Sequence, residues 1–320
     1  MKSDLSKYIS TYRSELMGYS ILWIMMLHFT FTQVKPLGFV AQYGFAGVEI
    51  FMMVSGFGLF FSLDKNASLK RFYKKRLLRI FPTYYLLGIF GSLLLFHDNL
   101  WQYLFRYSTI GFWTGGLYGD WFIPSIIALY LFAPLFKKMF DKHLFWLLGG
   151  ICLLCLLSAL WLVDKEQWLD RSHFFLLYRI PAFIFGMACA YWLKNGISDK
   201  YFFILLFCGI PVFALLFPHH HEVYNYKYLS LVFLLPLFTT CFLLVSKYFH
   251  WLNPLISQVG KASLEIYLIQ GIFFSAIIQG ILPIPAAWHD LLTFVLIIVC
   301  TLLGILAHWL VERSGINRLF

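Results

Sequence analysis

The chain alternates between apolar runs of about twenty residues and short segments that carry most of the charged side chains. An α-helix needs roughly 20 apolar residues to cross the hydrocarbon core of a bilayer, so each run predicts one membrane-spanning helix. The runs give ten predicted spans, at residues 14–34, 44–63, 77–97, 121–138, 144–163, 174–194, 201–217, 228–247, 262–282 and 290–311. We therefore predict an all-α integral membrane protein, a bundle of about ten transmembrane helices.

The composition agrees with this pattern. The chain is 61% hydrophobic and 12% charged, with a mean hydropathy of +0.76, whereas soluble domains carry about 25% charged residues. This balance excludes a soluble globule, and ten spans leave few polar residues for another domain. We expect residues 1–320 to form a single transmembrane domain with no appended soluble domain.

The lysines and arginines are distributed unevenly between the two sides of the predicted bundle. With the N-terminus in the cytoplasm, 19 of the 25 fall on inner segments, 5 on outer segments and Arg179 inside a span. Cytoplasmic segments of membrane proteins are enriched in Lys and Arg, so the bias predicts that both termini are cytoplasmic. The net charge of +10 is then a signal of topology, and we expect no nucleic-acid partner.

Four ionisable side chains, His28, Glu49, Asp120 and Arg179, fall at about the same predicted depth, toward the outer side of the bundle. Each has a structural explanation on its own: a hydrogen-bonded core histidine, an interfacial carboxylate, a helix N-cap and an arginine that snorkels to the headgroups. Burying all four costs little only if they pair or line a wet cavity. Together they predict a functional site with proton chemistry.

A second cluster, basic and predicted to be cytoplasmic, covers residues 70–79. Ordinary anchoring of a membrane helix explains part of this charge. Arg76 and Arg79, however, are three residues apart on one helical face, and paired guanidinium groups suit phosphate binding. Lys75 adds a point charge beside them. We therefore predict that a phosphate-bearing ligand binds here.

Two polar residues share one face of the ninth predicted span, Tyr267 and Gln270. They are predicted either to hydrogen-bond a substrate or to hold neighbouring helices together. The six cysteines all lie in apolar runs and are expected to be packing residues, so we predict no metal site.

Several ordered motifs resemble those of the acyltransferase-3 family of membrane acyltransferases, which includes bacterial O-acetyltransferases of surface polysaccharides. The resemblance extends over almost the whole chain, from His28 to Glu312. The similar segments are residues 47–57 with Glu49, residues 72–85 with the basic cluster, Trp121-Phe122 with Pro134, Arg179 with Phe183 and Gly186, residues 260–270, and residues 311–313.

The resemblance implies an enzyme that transfers an acyl group, in the first place acetyl, from cytoplasmic acyl-coenzyme A to a hydroxyl of a sugar, glycan or lipid-linked acceptor. Acetyl-coenzyme A would be a co-substrate, with no permanently bound cofactor, in a multi-pass protein of the bacterial inner membrane. The roles expected are His28 as general base, Glu49 as the acid that orients it, Arg179 as oxyanion stabiliser, Arg76, Arg79 and Lys75 for the donor, and Asp120, Trp121, Tyr267 and Gln270 for the acceptor.

The sequence departs from the family pattern at two positions. The family commonly has an arginine, ten residues and then the histidine, which puts Met17 where the arginine is expected; Arg13 lies one helical turn earlier. Gln270 stands where the family often has histidine. Alternatives to the main prediction are the same chemistry on a lipid or small metabolite, a succinyl donor, or a proton-coupled membrane transporter.

Overall fold

We describe the protein from a computed structural model, which covers residues 4–65, 68–114, 116, 119–162, 171–198, 200–217 and 231–315. All regular structure in these ranges is helical. The α-helices, numbered in chain order, are α1 Asp4–Thr11, α2 Arg13–Phe29, α3 Lys35–Ala41, α4 Phe45–Lys65, α5 Leu69–Gly91, α6 Leu100–Tyr107, α7 Ile110–Thr114, α8 Phe122–Asp141, α9 Phe145–Leu162, α10 Arg171–Asn195, α11 Lys200–Leu216, α12 Leu235–Tyr248, α13 Asn253–Lys261, α14 Ser263–Ile278 and α15 His289–Ser314.

Five helical segments within the described ranges are long and apolar enough to cross a membrane: Lys35–Lys65, Leu69–Phe96, Phe122–Asp141, Leu176–Asn195 and Ala286–Ser314. Residues 250–278 add a sixth if α14 and the helical segment before it, bent by 68° from one another, count as one span. The protein is therefore an all-helical membrane protein. The ten-span topology remains a prediction, because α2, α11 and α12 have 17 residues or fewer. The cytoplasmic location of the termini also remains a prediction.

The helices α4 and α10 pack with their backbones in close approach. A Cβ atom added at Gly56 would meet the carbonyl oxygen of Phe183, and one added at Gly186 would meet that of Met53. Small residues allow this proximity between membrane helices. Glu49 lies two turns before Gly56, and Arg179 two turns before Gly186, so the same contact brings their side chains together.

The C-terminal end of α2, where His28 lies, is held by the first turn of α15. The Asp290 carboxylate accepts backbone N–H bonds from Thr32 (2.8 Å), Gln33 (2.9 Å) and Val34 (2.6 Å). The Thr293 hydroxyl donates to the carbonyl oxygen of Phe29 at 3.1 Å. These bonds stabilise the turn that follows α2 and so restrict where His28 can lie.

The segment after α5 is held by a buried ion pair. Asp98 accepts from the guanidinium of Arg106 at 2.7 and 2.9 Å and from the Ser92 hydroxyl at 2.9 Å, while Arg106 also stacks on the Phe96 ring. The Arg106 guanidinium holds the pKa of the Asp98 carboxyl below its ordinary value, against the opposing effect of burial. This arrangement orders the backbone beside the candidate site, because Phe96 lines it.

Candidate active site

A cavity of about 200 Å³ lies among α2, α5, α14 and the segment that leads into α8. It collects five residues that the sequence predicted separately: His28, Asp120, Trp121, Tyr267 and Gln270. We call it the histidine cavity. The rest of its wall is mainly aromatic and small, with Tyr84, Leu87, Gly88, Gly91, Leu95, Phe96, Tyr107, Gly119, Leu268, Gly271, Ile272, Phe274 and Ser275.

His28 is fixed in this cavity by two contacts from α14. Its Nδ1 lies 2.9 Å from Oε1 of Gln270, and its ring stacks on Phe274 with centroids 4.6 Å apart. An amide oxygen only accepts hydrogen bonds, so with Gln270 in this orientation Nδ1 carries the proton and donates it. In the neutral ring Nε2 then holds the lone pair, which is the state that a general base requires.

Asp120 forms two hydrogen bonds at the start of α8. Its Oδ1 accepts the backbone N–H of Ile123 at 2.8 Å, which is the N-capping interaction expected at the start of α8. The same oxygen accepts the hydroxyl of Tyr267 at 3.4 Å. Asp120 therefore ties α8 to α14 at the wall of the histidine cavity.

A second cavity, of about 90 Å³, lies further along α2, α5, α8 and α14, where α4 also contributes to its wall; it contains three arginines, Arg13 from α2 and Arg76 and Arg79 from α5. We call it the arginine cavity. Within the part of the chain that the structure describes, none of the three forms an ion pair with a carboxylate. Arg76 donates to the Ser62 hydroxyl at 2.7 Å. Guanidinium groups gathered without a counterion form a site for an anion.

Arg13 and Met17 both line the arginine cavity, since they are four residues apart on one face of α2. Gly58 on α4 makes room for the guanidinium of Arg13, because a Cβ there would collide with its Nη and Cζ atoms. The arginine cavity therefore contains a guanidinium from one helical turn before the position at which the family pattern places an arginine.

Glu49 and Arg179 are placed differently from their predicted roles. Glu49 forms an ion pair with Arg179, and both side chains are buried, at 0% and 1% exposure. The prediction that Glu49 bonds to His28 is therefore corrected: the ring nitrogen is held by Gln270. Neither Glu49 nor Arg179 is part of the wall of either cavity. Arg179 lies over the Trp121 ring, with Cζ 5.3 Å from its centroid. The ion pair therefore contacts the histidine cavity only through Trp121, a residue of its wall.

Lys75 also lies apart from the residues with which it was grouped. It is exposed on α5, and it is not among the residues that line the arginine cavity. Lys75 lies four residues before Arg79 and therefore close to it on the helix surface, but its side chain extends into solvent and not into the cavity wall. Its contribution to an anion site there is at most that of a nearby charge.

Comparison with known proteins identifies the family to which the chain belongs. The profile of a family described as an acyltransferase domain matches residues 18–310. The chain belongs to the acyltransferase-3 family. It is also 30% identical over 179 residues to "Putative acetyltransferase ORF330" of the Acidianus two-tailed virus.

That alignment covers 53% of this chain and 52% of the relative, so the chain spans about half the length of the protein that it matches. No solved protein structure matches the chain. The family membership therefore rests on the profile, which covers both cavities except for Arg13 and Met17.

Proposed function

We propose that this acyltransferase moves an acyl group, in the first place acetyl, from acyl-coenzyme A to a hydroxyl of a sugar, glycan or lipid-linked acceptor. The observation that carries the proposal is the pairing of an arginine-lined cavity with a histidine-lined cavity, both of which α2, α5 and α14 help to line. An anionic donor and a hydroxyl acceptor are the two substrates that these walls would suit.

The donor would bind through Arg13, Arg76 and Arg79. Holding the partly buried Arg13 and Arg76 close to the exposed Arg79 is unfavourable unless an anion compensates their charge. The phosphates of a coenzyme A offer planar oxygen pairs that guanidinium groups bind in bidentate fashion. Lys75, exposed nearby, would add long-range attraction for the anionic donor.

The reaction would take place at His28. Nε2 removes the proton from the acceptor hydroxyl, and the oxygen attacks the thioester carbon. The C–S bond then breaks as the C–O ester bond forms, and the imidazolium returns its proton to the departing thiolate, which leaves as the thiol of coenzyme A. Gln270 keeps Nδ1 protonated throughout, while Asp120, Trp121 and Tyr267 form the wall against which the acceptor lies.

Glu49 and Arg179 would act as positioning residues. Their buried ion pair fixes the guanidinium on which Trp121 stacks. Because Arg179 is held by Glu49, the oxyanion of the tetrahedral intermediate would be stabilised by another donor in the wall of the histidine cavity. A lipid or small-metabolite acceptor, or a succinyl donor, would use the same arrangement. The proton-coupled transporter is set aside because of the family match.

We further propose ten spans with both termini cytoplasmic, in the cytoplasmic membrane of a bacterium. The excess of lysine and arginine on the inner segments supports this orientation. Reporter fusions after Lys142 and Lys200 should then read cytoplasmic, and fusions near Arg106 and Lys227 external. An external reading after Lys142 would contradict the arrangement.

The function is tested with purified protein, radiolabelled acetyl-coenzyme A, and panels of glycan and lipid-linked acceptors, followed by detection of labelled ester. His28→Ala should lower turnover by about 10²–10⁴-fold, the usual scale for loss of a general base, with donor binding kept. The exposed His250→Ala is the matched control and should leave turnover unchanged.

For the donor site, Arg76→Ala and Arg79→Ala should each weaken coenzyme A binding by about 1–3 kcal/mol, the range for hydrogen bonds to charged groups. Arg71→Ala, on the exposed side of the same helix and outside the cavity wall, is the control. Unchanged affinity in the Arg76→Ala/Arg79→Ala double variant would rule out the arginine cavity as the donor site.

A further inference from the structure

The two cavities meet at a single side chain. Tyr267 on α14 is the residue that lines both the histidine cavity and the arginine cavity. Along α14, Ser263 and Leu264 before it line the arginine cavity, and six residues after it line the histidine cavity: Leu268, Gln270, Gly271, Ile272, Phe274 and Ser275. Tyr267 therefore stands at the boundary between them.

Along α2, along α5 and at the start of α8, the chain also passes from the wall of one cavity to the wall of the other. On α2 the order is Arg13 and then His28, which are separated by 15 residues, or about 22 Å of helix. On α8 the chain passes directly from Trp121, in the histidine cavity, to Phe122, in the arginine cavity. The two cavities are thus stacked end to end and not side by side.

The ring of Tyr267 is fixed across this boundary. It packs against Phe122 with centroids 4.9 Å apart and an interplanar angle of 49°, and its hydroxyl bonds to Asp120 at 3.4 Å. Because Asp120 is itself tied to the first turn of α8, the tyrosine cannot swing away without losing that bond. The two rings are therefore packed against each other where the cavities meet.

We infer that Tyr267 and Phe122 form a partition that the acyl group must cross, and that their rings limit the enzyme to short acyl groups of the acetyl class. The inference rests on the proposed function, in which the donor phosphates bind at the arginines and its thioester reacts at His28. The thioester carbon then has to pass between the two rings. A two-carbon acyl group needs less displacement of the rings than a longer chain, so the partition selects by size.

The test compares acetyl-coenzyme A with butyryl-coenzyme A, each with water as acceptor, by following release of free coenzyme A thiol. Tyr267→Ala and Phe122→Ala should each raise the butyryl-to-acetyl turnover ratio by at least about tenfold, since discrimination of one methylene by an apolar wall is worth 10–200-fold. Tyr267→Phe keeps the ring and should keep the ratio. Phe273→Ala, an aromatic truncation on α14 outside both cavity walls, should also keep it.

Binding of coenzyme A, measured by calorimetry on each variant, distinguishes failure of the partition from failure of the proposed function. Retained binding with an unchanged ratio in both Tyr267→Ala and Phe122→Ala overturns the partition and leaves the proposed function standing. Loss of both turnovers in Tyr267→Ala and Tyr267→Phe, with binding retained, also overturns it, because the hydroxyl and not the ring would then be essential. Absence of coenzyme A binding in the unmodified protein overturns the proposed function and the partition together.

Discussion

The ion pair between Glu49 and Arg179 gives the sharpest test of how the site is supported. Both side chains are fully removed from solvent, at 0% and 1% exposure. Removing one partner of such a pair leaves an uncompensated buried charge, which costs about 3–5 kcal/mol. Glu49→Gln and Arg179→Met conserve most of the side-chain volume, so the cost would come from charge and not from a void.

The double variant Glu49→Gln/Arg179→Met shows whether the destabilisation in the single variants comes from the unpaired charge or from independent loss of packing. With both charges gone, the desolvation cost of each is relieved, and replacing a buried pair by neutral groups is often neutral or stabilising. We expect the two single variants each to lower the melting temperature by about 6–10 °C, taking roughly 2 °C per kcal/mol, and the double variant to recover most of this loss. Independent effects would add instead.

The matched control lies on the same two helices. Lys194 of α10 pairs with Asp64 of α4 at 2.6 Å, but its side chain is 45% exposed, and Asp64 keeps a second partner in Lys137. Exposed pairs are worth about 0–1 kcal/mol, so Lys194→Met should move the melting temperature by about 2 °C or less. Thermal unfolding of the protein in one detergent measures all four variants. Additive losses in the double variant, or single losses no larger than the control, would refute the reasoning.

Three further predictions follow from contacts described above. Gly58→Ala should displace the Arg13 guanidinium and weaken coenzyme A binding by calorimetry, by about 1–3 kcal/mol, without loss of folding. Gly186→Ala should force α10 away from the backbone of α4 and lower the melting temperature, by about 1–3 kcal/mol in stability. The pKa of Asp98 is lower in the folded protein than in the unfolded chain, so its pair with Arg106 stabilises the protein above the unfolded pKa. This contribution is lost as the pH falls through the folded pKa. Asp98→Asn should therefore reduce the fall of the melting temperature with pH in the acid range.

Much of the site could be predicted because polar and ionisable side chains are rare within membrane-spanning segments. His28 and Asp120 stood out in apolar runs, and the structure brings both to one cavity. The spacing of Arg76 and Arg79 predicted a shared helical face, and they share a cavity wall. These inferences needed only helical periodicity and the cost of burying charge.

The pairing of those side chains could not be predicted in the same way. Depth along a helix follows from residue number, but the direction in which a side chain points depends on the rotation of each helix against its neighbours. Glu49 and His28 were expected at one depth, yet the glycine contact between α4 and α10 turns Glu49 toward Arg179. Gln270 reaches His28 from a helix 242 residues further along the chain, and no local pattern reveals that partner.

The Asp290 contact with the turn after α2 has a consequence for how the protein is made. Asp290 lies 258 residues after Thr32, so the bond cannot form until the intervening chain has been synthesised. His28 is therefore synthesised long before α15, whose side chains hold the turn next to it. Non-local contacts of this kind form late in folding. The final arrangement of the histidine cavity would then coincide with insertion of α15.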